Sequence, residues 1–318
     1  ISLLLILFYL TIFLIAEVTA IASLLNFISQ IPLWVTAGIT LIICLLYILR
    51  GGFKLSIITD KYQFIFIIVI TSLSVLIILG NIDLSSYKLI KQNSPNLIDK
   101  NYLPNYTAGL TFFIAVAATN LFHQGNWQRV FSAKNDFILR SSLTYSSIII
   151  FFIVFWMGYT GLLSYSLNKE VIPDLAFFDL ILVNKNLILI ISILVLAMSL
   201  TLSTIDTLIN AISSLLIVDG NVINKTLIGK EVKNKANLII LFLSLIVFIL
   251  ASRGYSILYL FLLADLFCCA FVLTVFYSFY NKNINEKTAY VSIIIGLIGG
   301  FLLFPVPDFS KSLLVGII

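Results

Sequence analysis

The sequence predicts an all-α, polytopic membrane protein of about nine transmembrane helices, a single transmembrane domain over residues 1–318, and three observations carry that reading. Of its 318 residues, 61% are hydrophobic and 10% charged, whereas soluble domains hold about 45–50% and about 25%. Nine apolar runs reach the ~20 residues that cross a bilayer core, at roughly 2–26, 31–49, 58–80, 105–131, 139–166, 185–218, 235–252, 255–280 and 286–305. These runs are continuous instead of alternating at every second residue, which selects helices over the strands of a barrel.

The same composition excludes several functions. A net charge of +5 over this length is an orientation bias of the loops and not a basic stripe, so no nucleic-acid partner is expected. Cys44, Cys268 and Cys269 all lie in apolar runs, and the adjacent pair suits neither a CxxC redox motif nor a zinc site. A single His, with no GxSxG, HExxH or phosphate-binding loop, leaves no catalytic constellation. Neither an enzymatic activity nor a cofactor is expected.

With the first helix running outward, twelve of the 19 Lys and Arg fall in inner loops, Lys225 and Lys282 among them, as the positive-inside rule favours. The expected location is the plasma (inner) membrane, multi-pass, with the lipid bilayer as partner. The chain opens on Ile1 inside an apolar run and closes inside another that begins at Ser312, so it is expected to be a fragment of a longer protein.

In the first run, Glu17 sits among Ala16, Thr19, Ala20, Ala22 and Ser23, small residues that allow close helix approach. Its carboxylate either contacts solute or ion, or locks two helices together in protonated or hydrogen-bonded form. Between the second and third runs Gly51 and Gly52 break the chain, and Asp60 follows at the mouth of the third. There it either caps a helix, worth about 0.3–1 kcal/mol, or supplies charge to a cation site. Residues 81–104, with Pro95 and Pro104, read as an outer loop.

The fourth run is apolar to Ala118 and polar from Thr119 to Arg129. Counted from Thr107, Asn120 lies about 20 Å down at about 1.5 Å per residue, inside the ~30 Å core. Thr119, Asn120, His123, Gln124 and Asn126 therefore need an aqueous cavity or an unwound segment, with Gly125 to supply the break; the alternative is an early exit into cytoplasmic water. The run is expected to be discontinuous between Thr119 and Asn126.

The sixth run organises the rest. Ser199, Ser203, Asp206, Thr207, Asn210, Ser213 and Ser214 recur at spacings of three and four, so they share one helical face, with leucines and isoleucines over much of the remainder. Small hydroxyl residues can be interhelical glue. Asp206 needs more, because an ionised Asp in a spanning helix costs about 2.5–3.5 kcal/mol on insertion scales and marks a pathway or site. Asp265 is a second such acid, alone in its run, either lining the pathway or pairing across helices. Pro305 and Pro307 end the last complete span.

Ser203-Thr204, Ser213-Ser214 and the closing Asp219 resemble the eighth core helix of the sodium:solute symporters. The pattern of Gly51, Gly52, Phe53, Thr59, Asp60 and Gln63 resembles the loop entering their fifth core helix, and Gln124 with Trp127, Gln128, Arg129 and Ala133 resembles the end of their sixth. The three motifs fall in the family's order, and the resemblance extends over essentially the whole chain. It implies a partial five-plus-five inverted-repeat (LeuT-like) transporter fold, beginning at the third core helix. The QxxWQR segment is most similar to the urea-type branch.

The resemblance also implies sites. A main sodium site would use the hydroxyls of Ser203 and Thr204, the only side chains implied as metal ligands, and the carbonyl of Leu200. A second cation site would use Asp60, Asp206 and Thr207 beside the same hydroxyls. Oxygen ligands suit a hard cation. The two carboxylates of that second site would repel, so either sodium sits between them or one holds a proton. The solute pathway would draw on Glu17, Asn120, His123, Gln124 and Asp265. The family's first two core helices, which complete the sodium site, are absent from this sequence, so the function expected is that of the intact parent.

The expected function is a sodium-coupled secondary active symporter of a small polar organic solute, urea-like, an amino acid or a carboxylate, with protons as the alternative coupling ion. The alternative from another class is the symporter-like membrane sensor domain of a signalling kinase, which a kinase extension beyond Ile318 would decide. A purely structural subunit would have no need of the cost of burying Glu17, Asp206 and Asp265.

Overall fold

The computed structural model describes residues 2–81, 85–182, 187–223, 230–281, 285–304 and 309–317, and these are helical almost throughout, with no strand among them. The described helices are α1 (Ser2–Ser29), α2 (Leu33–Asn81), α3 (Ser85–Asn93), α4 (Leu103–Phe122), α5 (Gln124–Phe131) and α6 (Asp136–Leu167) in the first half of the chain. They continue as α7 (Ala176–Leu182), α8 (Leu187–Ile223), α9 (Lys230–Ala251), α10 (Ile257–Tyr280), α11 (Glu286–Leu303) and α12 (Phe309–Ile317). Pro305, Pro307, Lys225 and Lys282 lie outside the described residues.

Among the described residues all nine apolar runs are mainly helical, and the fold is the all-α, polytopic one that composition implies. Seven helices among the described residues are long and apolar enough to cross a membrane. The difference from nine has two physical causes. The second and third runs are joined in α2, whose segment Leu33–Leu76 is 44 residues long, about twice what a bilayer needs. The fourth run is divided between α4 and α5, with His123 between them in neither helix.

Gly52 accounts for the first. Its backbone, φ 54° and ψ −149°, is non-helical inside α2, a conformation that side chains with a Cβ avoid, so α2 is two helical halves meeting at a kink. Asp60 stands two turns beyond that kink, inside the second half, and so cannot be the helix cap that one reading of the sequence allowed.

The chain divides into two compact units, one of residues Ile1–Glu17, Leu103–Asn126 and Leu208–Ile318, the other of Val18–Tyr102 and Trp127–Thr207. In the first, α10 packs on α4, α11 and α12 around Ala270, Phe271, Ile293 and Leu297. Glycines permit the closest of these contacts, since a Cβ on Gly296 would lie 2.5 Å from the Gly316 carbonyl oxygen of α12. The Ser312 hydroxyl donates to the Gly300 carbonyl at 2.8 Å across the same pair of helices. In the second unit, Phe177 and Ile181 of α7 pack with Ile70 of α2 and with Ile193 and Leu196 of α8, while Leu175 and Ala197 pack on Ile21 and Leu24 of α1. Phe151, Phe152 and Phe155 of α6 stay exposed, as befits a lipid-facing surface.

Candidate functional site

Within the second unit, α8 presents Ser203, Asp206 and Thr207 to α2 and α5. Asp206 is wholly buried, 0% exposed, and its carboxylate is met by hydroxyls from both sides of the Gly52 kink. Tyr47, before the kink, donates to Oδ2 at 3.1 Å; after it, Ser56 donates to Oδ1 at 2.8 Å, and the Thr59 hydroxyl lies 3.0 Å from Oδ2. Ser56 and Thr59 reach one acid because three residues of helix bring them to one face. The kink brings Tyr47 to the same group. Such donors replace the water that an ionised buried carboxylate loses.

Asp60 is held differently. Its Oδ2 lies 2.6 Å from Arg129 Nη2, an ion pair, and its Oδ1 accepts from the Ser203 hydroxyl at 2.5 Å. The same Arg129 nitrogen donates to Thr207 Oγ1 at 2.7 Å, and the Thr207 hydroxyl in turn lies 3.3 Å from Asp206 Oδ1. The two acids therefore belong to one polar cluster. Arg129 supplies a positive charge at Asp60 that the sequence reading did not assign there.

The expected sodium ligands lie one step along this face. Thr204 donates to the Leu200 carbonyl at 3.2 Å, a bond within its own helix that is long for a hydroxyl donor. Leu200, Ser203 and Thr204 are all half-buried. Their three oxygens are of the kind a hard monovalent cation accepts.

The solute-pathway residues lie in the first unit, and they separate into two groups. Asp265 of α10 is buried and accepts a hydrogen bond from Thr119 of α4. His123, one turn beyond Thr119 where α4 ends, is buried edge-on to Tyr9 and Phe13 of α1, with ring centroids 6.2 and 6.0 Å away. Phe13 packs against Phe261 at 4.7 Å, and Phe261 lies one turn from Asp265 on α10. Three helices thus converge on an acidic and aromatic cluster. The buried Tyr9 hydroxyl finds no hydrogen-bond partner among the described residues.

The other group departs from expectation. Asn120 is exposed, donating to the Val116 carbonyl and accepting from Asn126 at 2.8 Å, because it points about 100° round α4 from the Thr119 contact. Gln124 opens α5 half-buried, with no hydrogen bond among the described residues. Glu17 shares the face of Tyr9 and Phe13 by its spacing of four and eight but is half-buried and likewise without a hydrogen bond among the described residues. Asp60, Asp206 and Asp265 thus each meet a polar side chain within hydrogen-bond distance.

Sequence reasoning did not assign Tyr47, Ser56, Thr119 or Arg129 to the acids they serve. The Ser56 and Thr59 spacing was a visible signal, since a buried Asp must find donors. The Arg129 contact, 69 residues from Asp60, had none.

A multi-pass α-helical membrane protein with a buried carboxylate set among hydroxyls on one of its apolar helices is the class that this architecture defines. The chain belongs to the sodium:solute symporter family, whose model matches residues 1–296. It is similar to a protein of Candida albicans named spermidine transporter DUR31, with 22% identity over 268 residues covering 83% of this chain and 50% of that relative. The chain thus spans half the length of that relative.

Proposed function

We propose that the intact protein is a sodium-coupled symporter of a small polar organic solute at the plasma membrane. The observation that carries this reading is the trio of Leu200, Ser203 and Thr204 oxygens on α8, in the same polar cluster as the half-buried Asp60 and the buried Asp206. Neutral oxygens beside net negative charge attract a monovalent cation yet release it, which a coupling ion requires. No cofactor enters the cycle. The binding energy of the ion for one conformation over the other supplies the coupling.

The acidic and aromatic cluster of Asp265, Thr119, His123, Tyr9, Phe13 and Phe261 supports a solute that carries amino groups, because ring faces and a carboxylate both favour an organic cation. The name of the Candida relative adds a polyamine to the urea-like, amino-acid and carboxylate solutes considered from sequence. The test is uptake of radiolabelled spermidine, urea, amino acids and carboxylates by the full-length protein in liposomes. Accumulation of at least one solute only under an inward sodium gradient is expected. Accumulation that ignores sodium and follows a proton gradient would overturn the choice of coupling ion.

A further inference from the structure

We infer that Arg129 is a tethered cation occupying the place of a second coupling ion, so that the transporter binds a single sodium ion per protomer. The inference rests on the sodium-coupled reading above and adds a stoichiometry and a residue that sets it. Four oxygens would make a strong cation site beside Thr204: the two of Asp60, the hydroxyl of Ser203 and the hydroxyl of Thr207. All four are engaged with one another or with the guanidinium. Ser203 donates to Asp60 Oδ1 at 2.5 Å, and Arg129 Nη2 reaches Asp60 Oδ2 at 2.6 Å. That nitrogen also reaches Thr207 Oγ1 at 2.7 Å.

A guanidinium in this position differs from a dissolved ion in two ways. It keeps its charge at every physiological pH, and it is covalently held, so its local concentration never falls. Sodium would have to displace it from a carboxylate that already has a charge-assisted bond. The main trio is closed only in part, because its Ser203 hydroxyl is engaged with Asp60 while Thr204 bonds back to the Leu200 carbonyl of its own helix at 3.2 Å.

Charge counting agrees. Asp60 and Arg129 neutralise each other, and Asp206, surrounded by Tyr47, Ser56 and Thr59, meets hydroxyls but forms no ion pair among the described residues. One uncompensated negative charge remains in the cluster. One monovalent cation neutralises it, and a second would leave buried positive charge in excess.

The test is equilibrium binding of radioactive sodium to the purified full-length protein, which needs no solute. The unaltered protein should bind one ion per protomer at saturation, and Arg129→Gln should open a second place and raise the stoichiometry to about two ions per protomer. Arg129→Lys, which keeps the cation, should stay at one ion, and the double variant Asp60→Asn with Arg129→Gln should return to one. Two ions bound by the unaltered protein would overturn this inference and leave sodium coupling standing, and that measurement depends on no variant's folding. A single ion in a folded Arg129→Gln protein would also overturn it. Absence of saturable sodium binding would overturn the coupling reading itself, and the inference with it.

Discussion

The guanidinium of Arg129 lies 2.6 Å from the carboxylate of Asp60, joining the short helix α5 to the second half of α2. The side chains are 36% and 22% exposed, so water screens part of the attraction. Removing either partner leaves the other charge poorly compensated. Arg129→Gln and Asp60→Asn should each destabilise the detergent-purified protein by about 1–2 kcal/mol, well below the cost for a fully buried pair. The double variant should recover part of that loss. Thermal unfolding of all four proteins closes the cycle, and strictly additive losses would show that the pair is not coupled.

Asp206 sits where the charge of the cluster is uncompensated. Replacing it with Asn keeps the shape and removes the charge, and should raise the half-saturating sodium concentration at least tenfold, about 1.4 kcal/mol. Protonating the carboxylate removes the same charge, so sodium affinity should fall as pH is lowered in the native protein and stay flat with pH in Asp206→Asn. If instead the acid carries a coupled proton, the variant would lose pH dependence with sodium affinity nearly unchanged. Sodium titrations of uptake at several pH values separate the two.

Gly52 is required for backbone and not for space. A Cβ built there meets nothing within 4 Å, but its φ of 54° is one that L residues rarely adopt. Gly52→Ala should cost about 1–3 kcal/mol of stability. Because the kink brings Tyr47 and Ser56 to the same acid, sodium binding should weaken along with it. Gly51→Ala acts differently, through collision of its Cβ with Leu55 at 2.6 Å. Unfolding midpoints and sodium affinity of both variants distinguish strain from crowding.

Thr119→Val removes the hydroxyl that Asp265 accepts from and leaves the acid buried without that donor. A loss of about 1–3 kcal/mol follows. Thr119→Ser restores the donor and should restore stability. If Asp265 lies on the solute pathway, the Val variant should also change the half-saturating solute concentration while sodium affinity stays near native. A change confined to unfolding would reduce Asp265 to a structural pair.

The helical, polytopic fold was determined by the sequence alone. Hydrophobicity and run length decide which segments enter a bilayer, and only a helix then satisfies its own backbone there. The Gly51-Gly52 break and the discontinuity between Thr119 and Asn126 were legible for the same reason, since both are local. So was the polar face of Ser203, Asp206 and Thr207, which follows from helical spacing. What the tertiary structure decided is pairing. Asp206 needed donors, but no periodicity says that Tyr47, Ser56 and Thr59 supply them, because contacts over 147 or more residues depend on how helices pack. Nor could spacing along α4 show that Thr119 turns to Asp265 while its neighbour Asn120 stays exposed. Above all, two acids on different helices looked like a place for a free cation, and only folding brought Arg129 into it.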